Sequence, residues 1–345
     1  MASPELTGVG QQASVTKSPA ASLRALGRAV REALAHPPTD GSPAASLDLS
    51  GLVVEPPRVG RCEMVEGKQL AAIAVTGDAA VGFAAFLDGV QRSTVVDYAG
   101  TIPIVGGQIS AVIRRRVSRR MTTWDNGYLS DSRLYAPLQL LPSDTLRSFA
   151  AAGIELRDTL RPNEETSGHP LEILRAAVDA VKRDRERLEQ TLAESWVAAM
   201  DQPLFVDGLL PAGPTASQSR TCVGVVKSHH TIYTPGDSLP TILGLAESHR
   251  SSVFLVERAY GPRVLSWYLR LREPPSQDPF MGLVRVEVAR TAEADMSTQA
   301  LRERANAVSQ WILAERAPLA LPDERWDRMM YGIRDCEEYL RARAS

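Results

Sequence analysis

The sequence predicts an α/β protein organised around a mixed β-sheet flanked by helices. Three observations carry that prediction. Short apolar runs bounded by turn residues come first, one long amphipathic helical pattern follows, and strand-like and helix-like segments then alternate to the C-terminus. The chain has 345 residues, 44% of them hydrophobic and 23% charged, enough for one large or two ordinary domains with a sizeable core. Its 39 Lys and Arg against 41 Asp and Glu leave a formal net charge of -2. That balance excludes a polybasic coat protein, so nucleic-acid contacts would have to come from local patches. Cys62, Cys222 and Cys336 lie far apart and form no CxxC, which argues against a disulfide scaffold or zinc ribbon and fits a reducing compartment. No apolar run approaches the roughly 20 residues of a membrane span, and the N-terminus lacks the apolar core of a signal peptide. The expectation is a soluble, cytoplasmic protein.

Residues 1–60 form a leader rich in Ala, Ser, Pro and Gly. Within it Leu23, Leu26, Val30 and Leu34 recur at helical spacing beside Arg24, Arg28 and Arg31. They predict one amphipathic helix, which either docks on its own core or reaches a partner. Residues 61–345 read as one domain with an insertion at about 121–170. Residues 82–88 (GFAAFLD) are apolar and close on Asp88-Gly89, as a buried strand ending in a turn would. Residues 93–98 (STVVDY) predict a second strand, and 109–113 an extended or helical third segment. RRRVSRR follows, with Arg114, Arg115, Arg116, Arg119 and Arg120; such a run is either a solvated face or a grip on phosphates. The supposed insertion is polar and broken by Pro and Gly, with a short helix near 143–151.

The helical pattern over 171–200 carries one stripe of Leu171, Leu174, Val178, Val181, Leu188 and Leu192. Directly after it, PLFVD (203–207) repeats the first signature, an apolar strand closed by Asp207-Gly208. CVGVVK (222–227) is a further strand leading to Lys227, His229 and His230. Adjacent histidines in a strand point to opposite faces, so these two do not make a compact metal pair. A helix near 238–247 precedes the strand SVFLVE (252–257), and 264–271 and 283–288 alternate like strands. Helices over 298–315 and 323–344 close the chain.

Adjacent strands of one sheet can set Asp88 and Asp207 side by side. Two close carboxylates repel, which favours a divalent cation between them. Oxygen ligands select Mg²⁺ or Mn²⁺ over Zn²⁺, and such ions activate water and stabilise the leaving oxygen of a phosphodiester. Taken singly, each Asp-Gly is also the commonest turn dipeptide. Glu189 is a third candidate. At 100° per residue it falls at the edge of the apolar stripe, whereas Glu186 lies round towards solvent and Glu194 almost opposite. It is either a ligand or an ordinary boundary glutamate.

FLDGVQRS, the helix with RLEQTL, then LFVDGLL, VGVVKSHH, SHRSSVFLVE, SWYLRL and GLVRVEV together resemble the NurA nuclease family, in content and in order, from about residue 82 to the C-terminus. The resemblance implies a fold similar to ribonuclease H and Piwi and Mn²⁺-dependent (or Mg²⁺-dependent) cleavage of DNA. It also implies a homodimer acting with a hexameric HerA-type ATPase, in DNA end processing or anti-phage defence. Carried over, it makes Asp88, Glu189 and Asp207 the catalytic metal ligands and places Lys227 and Arg250 against phosphate. Arg114, Arg115 and Arg116 would add backbone contacts without reading sequence. Many relatives complete the site with a His on the last helix, but this chain has no His after His249. Asp335 and Glu337 (YGIRDCEEYL) stand in that region, either as substitute oxygen ligands or as solvated charges. The missing His leaves a second reading open: a degenerate subunit that binds DNA or the motor without cutting. A Piwi-like guide-binding role is disfavoured, because the chain has no room for separate guide-end domains.

Overall fold

The structure is a computed structural model and describes residues 23–35, 57–118, 120–161, 168–258, 261–273, 278–290, 297–316 and 331–344. In chain order its elements are helix α1 (Leu23–Ala33), strands β1 (Arg58–Gly60), β2 (Cys62–Met64) and β3 (Ala72–Ala74), and three long strands, β4 (Ala85–Ala99), β5 (Ile102–Val117) and β6 (Arg120–Ala136). Helix α2 (Ser143–Ala151), β7 (Leu156–Asp158) and the 30-residue α3 (Pro170–Ala199) follow. Then come β8 (Leu204–Asp207), β9 (Cys222–Val226), β10 (Thr231–Tyr233), α4 (Leu239–Leu243), β11 (His249–Ser251), β12 (Phe254–Val256), β13 (Val264–Arg270) and β14 (Leu283–Ala289). Helices α5 (Thr298–Ala314) and α6 (Tyr331–Ala344) end the chain.

Twelve of the described strands share one sheet, whose main path is β2-β12-β13-β14-β9-β8-β4-β5-β6-β7. At its centre β4, β5 and β6 are antiparallel, β8 runs parallel to β4, and β9 parallel to β8. Parallel strands need a crossover, and α3 provides it between the antiparallel trio and β8. Its start is capped by the His169 side chain accepting from the Leu171 backbone N–H, with Pro170 in the first turn. The fold class is therefore the predicted one, an α/β protein with a large mixed sheet flanked by helices.

Alternation along the central strands divides the core between two faces. Ala85, Leu87, Ile113, Leu204 and Val206 pack against Leu192, Ala193 and Trp196 of α3. Phe86, Val112 and Phe205 pack on the other face with Ile312 of α5 and Ile333, Cys336 and Leu340 of α6. Farther along the long strands, Val105, Ile109 and Tyr135 continue under α3, while Ile104 and Leu134 meet Val30 of α1 and Phe149 of α2.

The structure corrects several expectations. Residues 82–88 and 93–98 are not two strands: β4 runs unbroken through Asp88-Gly89, which is no turn. The supposed insertion contains β6, paired with β5 along most of its length, so its first part is core. Alternating polar residues hid that strand, because half of each long strand faces water. The leader helix docks on its own core through Gly27 and Val30; the rest of residues 1–56 outside 23–35 lies outside the described residues. So does 323–330, the expected first part of the last helix.

Candidate active site

Asp88 is the fourth residue of β4, and Asp207 is the last of β8. The parallel register sets Phe86 opposite Phe205 and Leu87 opposite Val206. The two aspartates therefore follow side by side, on the face that α6 covers. The chain leaves β8 through Gly208, whose φ of +122° suits glycine alone. Lys227 stands just past the end of the neighbouring β9, and its Nζ donates to Asp207 Oδ2 at 2.7 Å.

Glu189 arrives from α3, on the opposite face, and reaches the strand over Gly89. A Cβ at position 89 would lie 2.3 Å from Glu189 Oε1, so the glycine is the opening through which this carboxylate approaches Asp88. Arg185, one helical turn earlier, donates Nη1 to Glu189 Oε1 at 2.5 Å and to the Gly89 carbonyl at 3.3 Å, and Nε to Gln91 Oε1 at 3.2 Å. Asp88 Oδ1 accepts from the Gly89 N–H at 2.8 Å.

The electrostatics follow from that crowding. Asp88 is 7% exposed; burial first, then the charges of Asp207 and Glu189, push its pKa well above the ordinary carboxylate value against the pull of Lys227. Burial, aided by Glu186 and Asp207 and opposed by Arg185, lifts Glu189 to about 7. Burial alone would depress Lys227, but Asp207 outweighs it and holds the ammonium form, with smaller help from Asp88 and Glu337.

The donor set is all oxygen, its members repel one another, and it is largely withdrawn from water: the chemistry of a hard divalent cation site. As placed, however, Asp207 is paired with Lys227 and Glu189 with Arg185. Among the described residues no three His, Cys, Asp or Glu side chains form a group ready to hold a metal ion. The carboxylates share a field without closing a cage.

The other predicted residues divide. Glu337 is near enough to act on Lys227 and is paired with Arg341 at 2.9 Å. Asp335 is held away by Arg114, whose Nε lies 2.5 Å from Asp335 Oδ1 and whose guanidinium sits over the Tyr339 ring. Arg116 makes a two-pronged pair with the buried Glu315 at 2.9 and 2.7 Å. Arg115 lies opposite Ala85, half-buried. Arg114 and Arg116 of the run are thus absorbed in fastening the β5–β6 hairpin to α6 and to the end of α5. Arg250 is the clear correction: it is 0% exposed and bonded to both oxygens of Glu66 at 2.7 and 3.0 Å, so it cannot touch phosphate. Trp267, Tyr268 and Arg270 are buried as alternating strand residues. Glu194, half-buried, accepts from the Thr215 and Ala216 N–H groups instead of reaching the site.

Reading the sequence missed Gly89 and Arg185. An arginine four residues before a glutamate on a helix is a visible signal for an ion pair; the role of Gly89 appears only once α3 lies across β4.

No protein-family model matches this chain, and no curated protein matches it. Among solved structures, the crystal structure of the NurA nuclease from Sulfolobus solfataricus is similar over 82% of this chain and 86% of that one, with 9% identity and a TM-score of 0.38. Among the described residues no helix is long and apolar enough to cross a membrane.

Proposed function

We propose that this protein is a divalent-metal-dependent nuclease that hydrolyses phosphodiester bonds in DNA. One observation carries the reading. Three carboxylates from three separate elements, Asp88, Asp207 and Glu189, share one field, in which burial and neighbouring negative charge disfavour the ionised forms of Asp88 and Glu189 unless extra positive charge arrives. The sequence resemblance to NurA nucleases supports it. Asp88, Glu189 and Asp207 would hold Mn²⁺ or Mg²⁺, with Glu337 the nearer of the two candidates on the last helix. The bound metal supplies activation of water and stabilisation of the leaving oxygen. The chain's own part is to place charge. Gly89 admits Glu189, Arg185 orients that carboxylate, and Lys227 sets an ammonium beside Asp207 where a phosphate oxygen would come. A homodimer, a HerA-type hexameric ATPase as partner, a cytoplasmic location and a role in end processing or phage defence belong to the same proposal.

The pairing of Asp207 and Glu189 with cations favours one rival, a subunit that binds DNA without cutting it. End-labelled single- and double-stranded DNA incubated with Mn²⁺, Mg²⁺ or EDTA separates the two. The nuclease reading expects products with metal and none with EDTA or in Asp88→Asn. DNA binding without products in any metal would establish the rival.

A further inference from the structure

Beyond Asp88, the sheet face that carries it is partly exposed until α1 covers it. Asp88 pairs with Val112 and that residue with Tyr128; Val90 pairs with Ser110 and Ser130, and Arg92 with Gln108 and Ser132. Paired residues share a face and alternate residues return to it, so these three rows form one surface. On one side, Tyr339 of α6 meets Tyr128 edge to face at 5.9 Å, and the Arg343 guanidinium lies over both rings at 5.1 and 5.2 Å. At the far end α1 closes the surface, with Leu23 and Val96 over Gly106. Between the helices Arg92 and Ser130 are exposed, Val90, Gln108 and Ser132 half-buried, and Ser110 is buried. Among the described residues no carboxylate but Asp88 stands on these rows, and Arg92 makes no hydrogen bond or ion pair with any of them.

We propose that this strip, formed by Arg92, Gln108, Tyr128, Ser130 and Ser132, carries an extended single strand of nucleic acid to Asp88. The inference rests on the nuclease reading and names the route of its substrate. Hydroxyls, an amide and an uncommitted guanidinium suit phosphate oxygens, and the aliphatic residues of these rows, Val90 and Val112, are drawn in against the core rather than offered to a partner. Three strands span about 10 Å, narrower than a duplex. Alternate residues repeat at ~7 Å, so Arg92 stands ~14 Å from Asp88, a span of a few nucleotides. Tyr128, clasped by Tyr339 and Arg343, offers an aromatic edge to a base near the cut.

Anisotropy of a fluorescein-labelled oligothymidylate in EDTA reads binding without cleavage. Arg92→Ala is expected to weaken it roughly tenfold, the loss of one charge-assisted contact, and to make the salt slope shallower by about 0.7. Ser130→Asp should weaken it similarly. Arg220→Glu, at the start of β9 and the opposite end of the strands from Asp207, should have no effect. Wild-type-like binding by both strip variants, with thermal melts showing them folded, would overturn the route and leave the nuclease reading intact. Failure of the wild-type protein to bind any oligonucleotide would overturn both. A change of oligomeric state in Arg92→Ala, read by light scattering, with oligonucleotide binding unchanged, would make the strip a contact between copies and overturn the proposal.

Discussion

Asp88 and Glu189 do different work, although both are buried carboxylates. Asp88 sits on a rigid central strand, so Asp88→Asn should lower Mn²⁺-dependent cleavage by more than ~100-fold, beyond the usual cost of losing a residue that only supports a ligand. Because it removes a crowded negative charge, the metal-free melting temperature should hold or rise. Wild-type cleavage by Asp88→Asn, read on end-labelled DNA, would take Asp88 out of the site. Glu189→Gln should be comparably damaging and Glu186→Gln nearly silent, since the Glu186 side chain is 49% exposed and points away. Equal rates in those two variants would return Glu189 to the ordinary helix boundary. Helical periodicity alone singled out Glu189, because 100° per residue is a property of the backbone. The same arithmetic set Glu194 away from the site but could not show what it meets. Its loop partners at Thr215 and Ala216 come from after β8, and periodicity carries no information about what a distant segment brings to a helix.

At the scale of elements, the site depends on how closely α3 approaches β4. Gly89→Ala would place a methyl against the end of the Glu189 side chain, which is flexible, so the carboxylate should move and the strand should not. Stability should change by no more than ~1 kcal/mol, while cleavage should fall nearly as far as in Glu189→Gln. The double variant should be no worse than either single one, because both changes remove the same interaction. A rate for the double variant equal to the product of the single effects would show that Gly89 acts elsewhere. Glu66 tests a different joint. It accepts from Arg250, from the Val253 N–H at 2.9 Å and from Arg302 at 3.3 Å, tying the segment after β2 to β11 and α5. Glu66→Gln leaves the Arg250 charge buried and under-compensated, so chemical denaturation should show a loss of about 3–5 kcal/mol. Arg250 shows what resemblance cannot see: a residue in the right place in the sequence was assigned to phosphate, and only packing reveals it as interior. Likewise β6 was illegible because a long two-faced strand resembles a polar loop when its partner β5 is unknown.

At the scale of the whole molecule, proton and metal binding should compete for one acidic centre, and that competition sets how stability varies with pH. Glu189 is raised to about 7 in the folded chain, and Asp88 is raised as well, burial being the leading cause for both. Between the ordinary carboxylate range and pH 7 the folded state therefore binds more protons than the unfolded one, and stability falls as pH rises through that window. For Glu189 that loss runs up to about pH 7, and Asp88 acts in the same direction. Glu66, Asp184 and Glu287 shift the other way, because their burial is outweighed by ion pairs with arginines and, for Asp184, first by the Tyr135 hydroxyl. Their contribution is present above the ordinary carboxylate range and is lost only below it, whereas His229, lowered by burial, opposes the site's trend as pH falls below about 6.5. In EDTA the melting temperature should rise as the buffer is taken from pH 8 towards 5.5, and Asp88→Asn should flatten that rise. Mn²⁺ binds the ionised forms, so at ~100 times its dissociation constant it should add about 2.7 kcal/mol at pH 8 and little near pH 5, where protons already occupy the centre. Calorimetric melts with and without Mn²⁺ across that range read the effect directly. A metal-induced shift equal at pH 5 and pH 8, or one that survives Asp88→Asn, would place the ion away from Asp88 and Glu189.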